Sequence, residues 1–168
     1  MIRFRLPQLI GLVSLSALAV GCGPSGSPSA PPQAQAPPPA APTAPAQTPA
    51  NQAAALADLP APYNTGDPDN GHAKFALCQA CHTIVVGAPN SVGPNLNGVI
   101  GRKAGTLAGY TYSDAMKKAD WIWDPQHLDT WLTAPSQMVP GTKMTFIGLP
   151  NAKDRIDVIA YLKTAGGS

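Results

Sequence analysis

The sequence predicts an all-α fold for residues 63–168, small and rich in loops. Three observations carry that expectation. Asp67-Pro68, Asp124-Pro125 and Asn151 each place a capping side chain ahead of apolar residues at helical spacing, twice with proline as the first helical residue. No stretch shows the period-two alternation of a half-buried strand. Residues 83–109 form a long aperiodic run rich in Gly, Pro and Asn. A domain of about 100 residues with loops of this length buries little apolar surface. Its centre should therefore hold something besides side chains.

The chain opens with MIRFR, a short positive segment, followed by an apolar run over residues 9–20 and then Ala19-Val20-Gly21-Cys22. Positive, apolar and small-residue segments in that order make an export signal. The apolar run is short of the ~20 residues that a bilayer-spanning helix needs. Its Gly-Cys ending resembles the lipobox of bacterial lipoproteins, whose cysteine is lipidated and becomes the first residue. Ala19 stands where leucine is usual, with Leu18 one step off. Residues 1–22 are thus expected to be a signal and lipid anchor, with an ordinary cleaved signal or an uncleaved anchor as alternatives. Two or more acyl chains hold a protein firmly, at about 0.8 kcal/mol per buried CH₂. Gly23, rather than Asp, after the cysteine resembles lipoproteins of the outer membrane.

Residues 23–62 contain 12 of the 20 prolines, with Ala, Gln, Ser and Thr between them, and no residue from 6 to 57 is charged. Such a segment cannot recover its ordering entropy by burial. It is expected to be a disordered linker with polyproline II bias, and no helix despite its alanines, since each interior proline costs about 3 kcal/mol. As a tether it would let a domain sample tens of Å; otherwise it is a plain spacer.

The folded part is expected to begin near Tyr63. In the first helix Gly71, Phe75, Cys78 and His82 recur on one face. A short helix is expected over residues 113–118. The helix opened by Asp124-Pro125 turns Leu128, Trp131 and Leu132 inward and closes before Pro135. The last helix starts at Asn151, carries Ile156, Ile159, Ala160 and Leu162, and ends at Gly166. From Gly66 onward there are nine Lys and Arg against eight Asp, a net charge of +1 with no basic stripe, which excludes a nucleic-acid partner.

The first helix ends in Cys78-Gln79-Ala80-Cys81-His82, which holds two of the three cysteines. A disulfide framework needs more cysteines than two neighbours. A structural zinc site needs four ligands; His72 and His127 are available, but not at paired spacing. A thioredoxin-type redox pair belongs in a βαβ unit, and this context is helical. The fourth reading is covalent haem attachment, for which C-x-x-C-H is the signature. Thiols three residues apart reach the two vinyl groups of one porphyrin, and the adjacent imidazole serves as an axial iron ligand. An exported chain suits this chemistry. The second axial position then decides function: a sealed iron carries electrons, an open one binds or activates small ligands. Candidates are Met116, Met138, Met144, His72 and His127. Met144 stands apart because Pro140 and Gly141 set a turn just before it.

In order along the chain stand Gly71 and Phe75, CQACH, Gly93-Pro94-Asn95-Leu96, Gly101-Arg102-Lys103, Gly109-Tyr110-Thr111-Tyr112, Trp123, Pro140-Gly141-Thr142-Lys143-Met144 and Ile159-Ala160-Tyr161-Leu162. Together they resemble class I cytochrome c, the soluble mitochondrial and bacterial type, from Gly66 to about Thr164, essentially the whole of the expected folded domain of residues 63–168. The resemblance implies a cytochrome c fold around one haem c, covalent through Cys78 and Cys81. It implies His82 as proximal ligand with its other ring nitrogen bonded to the Pro94 carbonyl, and Met144 as distal ligand. Arg102, Tyr112 and Trp123 would hold the inner propionate, Thr142 is retained beside the ligand, and Gly71, Phe75 and Tyr161 would form the crossing of the first and last helices. The chain departs from the family where Trp131 replaces a tyrosine and Met116 an asparagine. Met116 is the second sulfur to consider. Lysines that ring the haem edge in mitochondrial members are reduced here to Lys143; Ser136, Gln137 and the neutral Val85-Val86-Gly87 stand in place of others.

The expected protein is a monomeric electron carrier, not an enzyme. It would be exported, tethered through Cys22 on the periplasmic side of a membrane, and would shuttle electrons between respiratory complexes, a cytochrome bc-type donor and a terminal oxidase. A fixed cytochrome subunit of a dehydrogenase or oxidase is the alternative, with a haem peroxidase or ligand sensor behind it.

Overall fold

The computed structural model describes residues 48–167. These form α1 (Pro49–Ala57), α2 (Pro68–Gln79), α3 (Asp114–Lys117), α4 (Pro125–Thr133), α5 (Pro135–Met138) and α6 (Ala152–Gly166), with a 3₁₀ turn at Tyr63–Thr65. The export segment, Cys22 and most of the Pro/Ala-rich stretch lie outside the described residues. No helix among the described residues is long and apolar enough to cross a membrane. Extended pairing among them is confined to one bridge, Lys103 to Ile122.

α1 corrects the expectation of a wholly non-helical linker. Proline density was high over the stretch as a whole, but Pro49 occupies the first turn and the next proline is Pro60, so the helix has no interior break. α1 packs against α6; Leu56 touches the core, and Leu59, just beyond the helix, is 6% exposed. The folded part therefore begins near Pro49 rather than Tyr63.

α2 and α6 form the main helix pair. Asp67 caps α2, its carboxylate accepting from the amides of Asp69 (2.9 Å) and Asn70 (3.2 Å). Gly71 lets the backbones touch: a Cβ there would overlap the Asp157 carbonyl and lie 2.8 Å from Tyr161 Cβ. Phe75, fully buried, packs on the Tyr161 ring at 5.1 Å. A polar key locks the same crossing. The buried Asp157 carboxylate accepts from the Asp67 amide (2.8 Å), Asn70 Nδ2 (2.7 Å) and Lys153 Nζ (2.5 Å). Burial pushes its pKa up, but these hydrogen bonds and the lysine charge outweigh it and hold the carboxyl below its ordinary value.

Helix ends differ from expectation in two places, while the end of the last helix agrees with it. α2 stops at Gln79, so His82 lies in the following turn, held by its amide to Cys78 O at 2.9 Å. Pro135 closes α4 but also starts the one-turn α5, with Ala134 between them. Gly166 is the last residue of α6, and Gly167 caps it.

Candidate functional site

A cavity of about 170 Å³ opens between these elements. One water needs only ~10–15 Å³, so the space suits a sizeable organic group. Its walls are mostly apolar, with Leu128 and Leu132 from α4 and Val158 and Leu162 from α6. Cys78, Cys81, His82, Arg102, Tyr112, Trp123, Thr142 and Met144 all line it. Eight side chains singled out in the sequence, spread over residues 78–144, thus meet at one place.

The thiols sit on the last turn of α2 and the turn after it. Both are free, and Cys78 is pushed up to about 11, by burial first and by Cys81 second. A neutral buried thiol is not an activated redox nucleophile. Among the described residues no three His, Cys, Asp or Glu side chains converge as a metal site, so His72 and His127 do not complete a zinc centre with the cluster.

His82 is fixed from behind. Pro94 O accepts a hydrogen bond from Nδ1 at 2.7 Å. A carbonyl only accepts, so Nδ1 carries the proton and Nε2 keeps its lone pair. Burial lowers the pKa of the ring, partly opposed by this bond, which favours the neutral imidazole that ligates metals. Gly93 makes room: a Cβ there would lie 2.7 Å from Nδ1 and 2.8 Å from Nε2. The loop behind is organised by Asn95, whose Nδ2 donates to Val85 O (2.9 Å) and Ala88 O (2.8 Å) and whose Oδ1 accepts from the Asn97 amide (2.7 Å).

Arg102 and Trp123 are brought together by the backbone. Trp123 N donates to Arg102 O at 2.8 Å and Gly101 N to Trp123 O at 2.9 Å. The partly buried guanidinium donates to the carbonyls of Asn95 (3.1 Å) and Asn97 (3.2 Å). No carboxylate pairs with it among the described residues. A partly buried cation beside a cavity, satisfied by carbonyls alone, suits a carboxylate carried by the bound group.

Met144 rides on a turn. Thr142 N donates to Val139 O (3.0 Å), and Met144 N donates to Thr142 Oγ1 (3.2 Å). Of the five distal candidates, only Met144 and Met116 line the cavity; His72, His127 and Met138 do not. Trp131 also lines it, its ring 5.5 Å from that of Trp123. Trp121 was not anticipated from the sequence. It stacks on His127 and meets Trp123 at 5.8 Å, and its Nε1 is buried without an acceptor among the described residues. Two thiols, a neutral imidazole, two thioethers and an unpaired guanidinium around one apolar cavity fit the haem implied by the sequence.

The family model for cytochrome c matches residues 68–166. A cytochrome c2 of Rhodoblastus acidophilus is 55% identical over 97 residues, which cover 58% of this chain and 91% of that one. A cytochrome c-type protein, cyt cy, of Rhodobacter capsulatus is 54% identical over 101 residues, 60% of this chain and 50% of that one. Among solved structures, cytochrome cH from Methylobacterium extorquens is similar with a TM-score of 0.56 and 49% identity, covering 59% of this chain and 99% of that chain.

Proposed function

This chain belongs to the cytochrome c family, and from that premise we propose that it is a haem-bearing one-electron carrier tethered on the periplasmic side of a membrane. Cys78 and Cys81 anchor the haem, His82 Nε2 and the Met144 sulfur ligate the iron, and Thr142 supports the Met144 turn. Arg102, Tyr112 and Trp123 hold the inner propionate. Bound there, haem supplies one-electron exchange at its iron. The chain's own residues keep the imidazole neutral and oriented, exclude water with the α4 and α6 side chains, and provide in Arg102 a cationic partner of the kind a buried propionate requires. The observation that carries this reading is the convergence of the eight side chains on one cavity.

The export segment and Cys22 support anchoring by a lipid or an uncleaved signal, and the Pro/Ala-rich stretch supports a tether. A cytochrome bc-type donor and a terminal oxidase acceptor are the proposed partners, with the carrier itself a monomer. A redox titration with visible spectra on wild type and Met144→Ala tests the site. Wild type should show a six-coordinate iron, and the variant should lose thioether ligation and fall in potential. Unchanged ligation in the variant would sink the assignment.

A further inference from the structure

We propose that Arg155 is a positioning residue for Met144: with Asp129 it staples the far end of the Met144 loop to α4 and thereby sets how readily the thioether leaves its ligand position. The inference rests on the reading of Met144 as distal ligand. The loop runs over residues 139–151, between α5 and α6. Its near end is a turn, with Thr142 N donating to Val139 O and Lys143 Nζ reaching Thr111 O at 3.0 Å. Between Thr145 and Gly148 the backbone makes no hydrogen bond among the described residues. Ile147 in that stretch is 91% exposed. Packing there comes from Phe146 against the core and from the buried Gly148 beside the Thr133 carbonyl, so the polar hold on the loop lies at its ends.

At the far end one guanidinium bridges the loop to α4, beside the buried Leu149. Arg155 Nη1 donates to Leu149 O (2.9 Å) and Pro150 O (3.1 Å), and Nε donates to Asp129 Oδ1 (2.7 Å). The Arg155 and Asp129 side chains are 11% and 29% exposed, so water competes weakly. Leu149 N adds a bond to Leu132 O at 2.7 Å. Asp129 and Leu132 both belong to α4, whose Leu128, Trp131 and Leu132 line the cavity. The staple therefore ties the ligand's loop to the wall the ligand must face. Only a planar fork spans a helix carboxylate and two loop carbonyls; an ammonium covers part of that set.

The test is imidazole competition on the haem-loaded full chain, read by the near-infrared sulfur-to-iron charge-transfer band. Loss of these charge-assisted hydrogen bonds loosens the loop's far end, so Arg155→Ala should need about tenfold less imidazole for half-displacement of the thioether. Arg155→Lys and Asp129→Asn should fall between it and wild type, and they carry the test where the alanine variant does not fold. Lys74→Ala, which breaks the Lys74–Asp154 pair between α2 and α6 (3.0 Å), should leave the midpoint unchanged. Amide exchange at Leu149 should speed up in Arg155→Ala, a readout that does not involve the iron. Wild-type midpoints in the Arg155 and Asp129 variants would overturn the proposal alone. Absence of the band in wild type would overturn the Met144 assignment and this inference with it.

Discussion

Gly93 bears on the ligand through space rather than through a bond. Its missing side chain is what lets the loop lie against the His82 ring while Pro94 accepts the Nδ1 proton. Gly93→Ala should cost about 1–3 kcal/mol of overpacking and lengthen or break the His82–Pro94 bond. We expect a lower melting temperature and a shifted reduction potential. A variant with wild-type values of both would show that the loop absorbs the methyl without moving the ring. At this scale the residues that make bonds with chemistry of their own were legible: thiols, imidazole and thioether announce themselves by type and spacing. Gly93 and Asn95 were legible only through the family resemblance, because their roles are to leave space and to hold a loop, and neither leaves a periodic signal. Trp121 was not legible at all, since nothing in a lone tryptophan tells which way its ring turns.

Among the elements, the α2–α6 crossing adds one buried carboxylate, Asp157, to its close glycine contact and aromatic packing. Asp157 has a folded-state pKa below its ordinary value. Its contribution is therefore fully present above the unfolded carboxylate pKa near 3.9 and lost as pH falls through the folded value. Asp157→Asn should cost about 1–3 kcal/mol at neutral pH. The gap between wild type and variant should narrow as pH drops below about 4. Denaturant melts at neutral and acid pH measure this, and a gap that stays constant would mean the carboxylate is not the acid-labile group. Capping residues made α2, α4 and α6 legible, since Asp67, Asp124 and Asn151 all accept from backbone amides as their sequence context implied. α1 was missed because composition was weighed over a forty-residue stretch, whereas a helix needs only a local window free of proline. α5 was missed because Pro135 reads as a stop, though proline is equally at home in a first turn.

For the molecule as a whole, the surroundings of the cavity are more apolar than charged. Val92, which lines it, is 73% exposed, and Leu77, next to Cys78, is 61% exposed. With a net charge of only +1 beyond Gly66, long-range steering is weak. Electron transfer to a membrane partner should vary by less than about threefold between low and physiological salt, because a Debye length of ~8 Å screens little that is not already weak. A steep fall over that range, in stopped-flow rates, would require a charged docking face that the sequence does not supply. The expectation of an all-α domain around a central group was sound because loop length and a thin apolar inventory are global properties of the chain. All three tryptophans of the chain, Trp121, Trp123 and Trp131, form one contacting cluster, and two of them line the cavity. The consequence is optical. With a porphyrin in that cavity, excitation of any indole should drain into it, and the native protein should be nearly dark at tryptophan emission wavelengths. Unfolding should turn on all three emitters together, which makes fluorescence a direct gauge of how far the chain has moved from its pigment.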